Sequence, residues 1–213
     1  PKAHEIGWEF PENDDHILQQ FKALMFGSAG MAEDPVVVKA ALDMFARFSA
    51  GDLSAIHPNI RGSVFTIALK HGGLKEYEVV LDRSRHAPTS DEKTTALRCL
   101  GASEDPELIK RTLGLAMSEE VKSQDIYMPL GGLRSHPAGI EGRWNWLKSN
   151  WDELYKRLPP GLGMLGTVVQ LTTASFCTEA QLKDVEDFFA SKDTKVSNLT
   201  KDLTEVSSKI HIL

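Results

Sequence analysis

The sequence has few cysteines, no long apolar run and no excess of positive charge, and each absence excludes a class of protein. Its two cysteines, Cys99 and Cys177, are too few for a disulfide framework or a CxxC zinc site. A reducing compartment, and therefore a cytoplasmic location, is expected. No apolar run approaches the roughly 20 residues of a membrane-spanning helix, so no membrane partner is predicted. The net charge of -6 also speaks against a nucleic-acid partner, which requires a basic face.

Motifs of enzymatic chemistry are also missing. The seven histidines are scattered, and no HExxH pair places two of them on one helix face. The sequence contains neither a GxSxG turn nor a phosphate loop ending in GK[ST]. Both cysteines are expected to be buried and inert. We therefore predict no catalytic residue, no metal ligand and no cofactor within this chain.

Helical periodicity is abundant, and it is clearest between residues 121 and 158. This segment contains three of the four tryptophans and an apolar stripe with spacings of three and four, namely Ile140, Trp144, Leu147, Trp151, Leu154 and Leu158. The stripe predicts a well-buried helix, in which the tryptophans pack in the core. Just before it lie Gly131, Gly132, Pro137 and Gly139, which predict a kinked and adjustable loop.

Helix-start signals recur along the chain and suggest a repeat. Asp34-Pro35 combines a capping carboxylate with the residue preferred at the first helical position, and Asp105-Pro106 repeats the signal. Six residues recur at an offset of 71 positions: Gly30, Glu33, Asp34, Pro35, Lys39 and Leu42 return as Gly101, Glu104, Asp105, Pro106, Lys110 and Leu113. Two helix pairs for each offset give about 35 residues a pair, within the range of helical repeat arrays.

Two further helix starts carry the pattern of a capping box, at residues 89–92 and 178–181. Strand-like alternation is nowhere sustained. The predicted fold is therefore all-α, a HEAT-like α-solenoid of stacked antiparallel helix pairs, which forms a single domain over residues 1–213.

Two arginines are candidates for binding an anionic group. Arg134 lies in the glycine- and proline-rich stretch before the tryptophan-containing helix, where its guanidinium could bind a carboxylate through two hydrogen bonds. The alternative is that it caps the C-terminus of a neighbouring helix. Arg98 lies on a predicted helix and is a candidate for a concave binding surface, although helical arginines are usually solvated.

Four segments of the chain form a specific combination, AIHPNIRGSVFTIALKHGG, TSDEKTTALRCLGASEDPELIKRTL, SEEVKSQDIYMPLGG and WNWLKSNWDELYKRL. Together they resemble the C-terminal helical domain of zinc aminopeptidases of the puromycin-sensitive type, over about residues 27–194. The resemblance implies a larger parent enzyme, whose HExxH zinc site and GAMEN motif lie upstream. It also implies a helical bowl over the active site, with basic side chains that hold the far end of a peptide. The tail KVSNLTKDLTEVSSKIHIL departs from the family pattern.

These features lead to one main hypothesis and one rival. The chain is expected to be a non-catalytic fragment of a zinc aminopeptidase, which caps the active-site chamber and helps to bind peptide substrates through Arg98 and Arg134. Its expected partners are the peptide and the upstream catalytic domain, and zinc is expected only in the parent. The rival is a free-standing α-solenoid adaptor that binds a protein on its concave face. An upstream HExxH motif would distinguish them.

Overall fold

A computed structural model describes residues 2–158, 163–190 and 192 of the chain. These residues form eleven α-helices. They are Lys2–Ile6 (α1), His16–Met31 (α2), Pro35–Ser49 (α3), Arg61–His71 (α4), Leu74–His86 (α5), Ser90–Cys99 (α6), Pro106–Met117 (α7), Tyr127–Gly132 (α8), Pro137–Arg157 (α9), Met164–Thr173 (α10) and Glu179–Ala190 (α11). No strand occurs in the described ranges, and the all-α, solenoid-like fold class is confirmed.

The two Asp-Pro signals build the same helix start. The Asp34 carboxylate accepts hydrogen bonds from two backbone N–H groups in the first turn of α3, both at 3.1 Å. The Asp105 carboxylate does the same at the start of α7, at 2.8 and 3.2 Å. In both helices proline occupies the first position. The recurring pattern therefore marks equivalent local structures, 71 residues apart.

One of the two predicted capping boxes is complete and the other is half formed. At α11 the Thr178 hydroxyl accepts from the Gln181 N–H at 3.2 Å, and the Gln181 side chain accepts from the Thr178 N–H at 3.1 Å. At α6 the Thr89 hydroxyl accepts from the Glu92 N–H at 3.2 Å. The Glu92 carboxylate is buried, and it binds two arginines of neighbouring helices in place of the backbone N–H of Thr89.

The chain divides into two compact units, Pro1–Ser103 and Glu104–Leu213. In the first unit α4 contacts α2, α3, α5 and α6, and α5 packs along α6. Its core includes the rings of Phe45, Phe48 and Phe65, whose centroids lie 5.5–6.4 Å apart. In the second unit α7 packs on α8 and α9, and α10 packs on α8 and α9. The organisation of residues 1–213 as a single domain stays a prediction.

The tryptophan-containing helix is α9, and Trp144, Trp146 and Trp151 are all buried as predicted. The adjustable loop before it was predicted wrongly. Gly131 and Gly132 end α8, and residues 133–135 form a 3-10 turn. The His136 ring accepts a hydrogen bond from the Gly139 N–H at 3.0 Å and so caps α9.

Gly139 serves a close approach between backbones, because a Cβ atom there would lie 2.2 Å from the Leu133 carbonyl oxygen. Gly139 therefore allows α9 to pack closely on the 3-10 turn that precedes it. Among the described helices, none combines the length and apolar composition that crossing a bilayer requires.

Candidate functional site

Arg134 lies on the 3-10 turn between α8 and α9, and its side chain is exposed. Within the described residues its guanidinium has no hydrogen-bond or ion-pair partner. Its backbone is flanked by two buried residues, Leu133 and His136, and its carbonyl oxygen lies 3.5 Å from the Ser175 hydroxyl, at the outer limit of a hydrogen bond. The turn therefore presents a cation that has no partner among the described residues. This geometry leaves all of the Arg134 N–H donors available to a ligand.

A shallow depression lies beside this turn. It has a volume of about 480 Å³ and is lined mainly by Pro137, Ile140, Trp144, Ser175 and Phe176, with Glu141, Asn145, Cys177, Gln181 and Asp184 completing it. Ser175 thus contacts the Arg134 backbone and also lines the depression. Asp184 is neutralised by Lys148, whose ammonium lies 2.8 Å from the carboxylate. The depression therefore combines apolar side chains with polar ones, among them Glu141, and its lining residue Ser175 contacts the turn that carries Arg134.

The capping role that was the alternative for Arg134 belongs to another arginine, Arg143. This side chain is fully buried, and its guanidinium donates to the Leu171 carbonyl at 2.6 Å and to the Leu130 carbonyl at 3.4 Å. These carbonyls lie in α10 and α8, so Arg143 joins three helices. Burial, helped by the charge of Arg134, lowers the pKa of Arg143 to about 10, which leaves it charged at neutral pH.

The sequence contains a signal for the burial of Arg143. Arg143 follows Ile140 by three positions and precedes Leu147 by four, which places it among the apolar residues of α9. A charged residue in such a position is buried with partners or marks a break in the stripe. The backbone carbonyls that serve as its partners cannot be identified from sequence.

An aromatic cluster lies between α9 and α11. The Trp151 ring meets Phe188 and Phe189 edge to face, with centroids 5.8 and 5.1 Å apart. Trp144 packs in the same way on Phe176, at 5.6 Å, and its indole N–H donates to Asp184 at 2.6 Å. The tryptophans therefore hold α11 against α9, and Trp144 also lines the depression.

Arg98, the second candidate, lies in the last turn of α6 and is exposed. Its guanidinium has no partner among the described residues. The next residue, Cys99, is buried, which raises the pKa of its thiol to about 11 in spite of the Thr66 hydroxyl and the Arg98 charge. Cys99 is therefore inert as predicted, whereas Cys177 is exposed, contrary to prediction. Arg98 belongs to the first unit and Arg134 to the second.

The buried charges of the first unit form a structural cluster. Glu92 receives the Arg61 guanidinium at 3.0 Å and the Arg83 Nε at 2.8 Å, and all three side chains are largely buried. Arg83 also lies over the Phe48 ring, 5.5 Å from its centroid. The cluster joins α4, α5 and α6. Because both arginines already hold a carboxylate, they are poor candidates for a ligand.

A second and larger groove lies between α7 and α9. It has a volume of about 640 Å³ and an apolar floor that includes Ile109, Leu113 and Met117, with Asn145, Trp146, Ser149 and Asn150 along the α9 side. In the part of the chain that the structure describes, no three His, Cys, Asp or Glu side chains converge to hold a metal ion. These residues therefore do not provide a zinc site.

Comparison with known proteins gives a family and several relatives. Residues 1–211 match the family model of the ERAP1-like C-terminal domain. The chain is 47% identical over 195 residues to Aminopeptidase 2 of Candida albicans, covering 91% of this chain and 21% of that protein. It is 44% identical over 209 residues to "Aminopeptidase 2, mitochondrial" of Saccharomyces cerevisiae, covering 97% and 22%.

A third relative is the alanine/arginine aminopeptidase of Saccharomyces cerevisiae, which is 35% identical over 194 residues. The match covers 91% of this chain and 23% of that relative. The chain therefore spans about one fifth of the length of the curated relatives it matches.

Proposed function

Because the chain belongs to the ERAP1-like C-terminal domain family, we propose that it is the non-catalytic C-terminal domain of a zinc aminopeptidase. The names of its relatives support the activity, and their length supports a larger parent protein. Zinc bound in the parent would supply an activated water for hydrolysis of the first peptide bond. Its ligands are proposed to lie in the upstream catalytic domain, since the described residues do not supply them.

The proposed role of the domain is to cap the active-site chamber and hold the far end of the peptide. The observation that supports it is the exposed guanidinium of Arg134, which has no partner among the described residues and lies on a turn that contacts Ser175, a lining residue of the depression. A peptide carboxylate can accept two hydrogen bonds from such a guanidinium, while a neighbouring apolar side chain occupies the depression. Arg98 is proposed as a second contact, supported by its exposed side chain, which has no partner among the described residues.

The test uses the full-length aminopeptidase with Arg134→Ala, measured on a long peptide and on a single-residue amide. We expect kcat/KM for the peptide to fall about ten- to hundredfold, because a charge-assisted hydrogen bond contributes about 1.5–3 kcal/mol. The amide, which is too short to reach Arg134, should be cleaved normally. Arg134→Lys should recover only part of the loss, since lysine lacks the planar fork.

Lys156→Ala provides a matched control, because Lys156 is an exposed cation of the same unit. It should leave both substrates unaffected. Equal losses on both substrates by Arg134→Ala, together with a lower melting temperature, would show that Arg134 supports the fold and does not contact the peptide.

The rival function is a free-standing adaptor, and the groove between α7 and α9 is the observation in its favour. Its apolar floor and the amides of Asn145 and Asn150 suit an extended peptide segment. The full-length reading frame separates the two hypotheses, because only an aminopeptidase requires an upstream HExxH motif. The cytoplasmic location stays a prediction.

A further inference from the structure

The groove between α7 and α9 is built around one close contact of the two helices. A Cβ atom at Gly142 would lie 3.2 Å from the Ile109 side chain and 3.6 Å from that of Leu113, so α9 approaches α7 closely at this glycine. Lys110, which follows Ile109, and Glu141, which precedes Gly142, both line the groove. The groove therefore has an ammonium on its α7 wall and a carboxylate on its α9 wall, next to the same point of contact.

Both charges are exposed, and neither has a partner within the described residues. The repeated sequence pattern explains this for Lys110. Its counterpart Lys39 forms an ion pair with Asp43, four positions further along α3. The corresponding position in α7 is Gly114, which lines the groove. Glu141 has no basic residue three or four positions away on α9, where a helical partner would lie. Each wall thus presents an uncompensated charge.

Apart from these two charges, the lining of the groove is mainly apolar. Its floor includes Leu113 and Met117, and Trp146 lines the α9 side. Trp146 is 8% exposed, and its buried indole N–H has no acceptor in the part of the chain that the structure describes. Buried donors without an acceptor are rare in folded proteins. The groove therefore combines apolar surface, two charges of opposite sign and an unsatisfied donor.

We propose that this groove binds a free α-amino acid with a large apolar side chain. The ammonium of the ligand pairs with Glu141, its carboxylate pairs with Lys110, and its side chain lies on the apolar floor. A free amino acid carries both charges on one carbon atom, which matches two charged walls that meet at a single helix contact. A residue inside a polypeptide carries neither charge on its backbone, so an extended protein segment would leave both walls unpaired.

The role of this site in the parent rests on the proposed function. An aminopeptidase releases one free amino acid in each turnover, so the groove would bind a product of the reaction. Binding itself is measured on this chain, whose described residues provide no zinc site. A failure of binding is therefore distinguishable from a failure of the proposed aminopeptidase activity.

The experiment is a nuclear magnetic resonance titration of the isotope-labelled chain with L-leucine. The chain has four tryptophans, so indole N–H signals are few, and that of Trp146 reports on the groove. For the nine heavy atoms of L-leucine, ligand efficiencies in fitted sites give a Kd of about 10 mM or tighter. Three analogues remove charges: N-acetyl-L-leucine lacks the ammonium, L-leucinamide lacks the carboxylate, and N-acetyl-L-leucinamide lacks both. Each loss of one charge should weaken binding by about tenfold or more.

Glu141→Gln and Lys110→Met remove the two charges of the groove one at a time. Each should raise the Kd for L-leucine by about tenfold or more. Glu141→Gln should not weaken N-acetyl-L-leucine, which has no ammonium to bind, and Lys110→Met should not weaken L-leucinamide. Glu153→Gln is the matched control, because Glu153 is exposed on the same helix and lies outside the groove. It should leave all four ligands unaffected.

Three results would overturn the proposal. The first is the absence of any shift of the Trp146 signal up to about 100 mM L-leucine, tenfold above the weakest expected Kd. The second is equal binding of L-leucine and N-acetyl-L-leucinamide, since the groove would then recognise an uncharged segment, as the adaptor hypothesis requires. The third is a loss of L-leucine binding by Glu153→Gln as large as that caused by Glu141→Gln.

Discussion

Replacement of Trp151 by alanine tests whether the aromatic cluster stabilises the second unit. Trp151 is 5% exposed, and its ring meets Phe188 and Phe189 of α11 edge to face. Removal of a fully buried tryptophan side chain costs about 3–5 kcal/mol, since the site collapses only in part. Two aromatic contacts are lost as well, each worth about 0.5–1.5 kcal/mol beyond its buried area, which places the expected cost near the upper end of this range.

The assay is urea unfolding of the whole chain in a Trp8→Phe background, followed by far-UV circular dichroism and by fluorescence. The Trp8→Phe change removes the tryptophan of the first unit, so the remaining fluorescence comes from Trp144 and Trp146 and reports on the second unit. We expect the midpoint of the fluorescence transition to fall with little change in its slope. Glu153→Ala, an exposed position on the same helix, should change the free energy of unfolding by less than about 0.5 kcal/mol. A loss below about 1 kcal/mol for Trp151→Ala would refute the argument.

Three further predictions concern buried or paired groups of the chain. Arg143→Met should destabilise the second unit by about 2–4 kcal/mol in urea melts, because the carbonyls of Leu130 and Leu171 lose a charged donor. Unchanged stability would contradict the role of Arg143 in joining α8, α9 and α10. For Asp184, burial opposes ionisation, but hydrogen bonds from Lys148 and Trp144 outweigh it and lower the pKa of the carboxyl below its ordinary 3.8. The Asp184 carboxylate therefore contributes its full stability above pH 3.8, and this contribution is lost as the pH falls through the lower pKa of the folded state. The difference in melting temperature between the unchanged chain and Asp184→Asn should shrink accordingly. A difference that persists unchanged at pH 2 would contradict the assignment. With a thiol reagent at pH 8, Cys177 should react rapidly and Cys99 only after unfolding, and two rapid thiols would disprove the burial of Cys99.

Local rules predicted the helix starts but not the partners of long side chains. Asp34 and Asp105 cap their helices because the bonded N–H groups lie two and three residues away, within the reach of sequence reasoning. Glu92 fits the same kind of rule, yet its carboxylate binds arginines that lie 9 and 31 residues before it. Only the packing of α4, α5 and α6 brings these groups together.

The error at residues 131–139 has a similar cause. Glycine and proline predict a flexible loop, whereas Gly139 allows α9 to pack closely on the preceding 3-10 turn and Pro137 begins α9. The exposed position of Arg134 was expected from the sequence, but the depression beside it was not. That depression is built by Ser175 and Phe176, about 40 residues further along the chain, and depends on how α9 and α10 pack.

The sharing of Glu92 by two arginines has a consequence for how this domain can change during evolution. A single replacement of Glu92 leaves two like charges buried side by side, and a single replacement of Arg61 or Arg83 removes half of the compensation. Whether a change is tolerated at one of the three positions therefore depends on which residues occupy the other two. The three positions act as one unit of substitution, although they lie on separate helices, and the neighbouring surface residues remain free to vary one at a time.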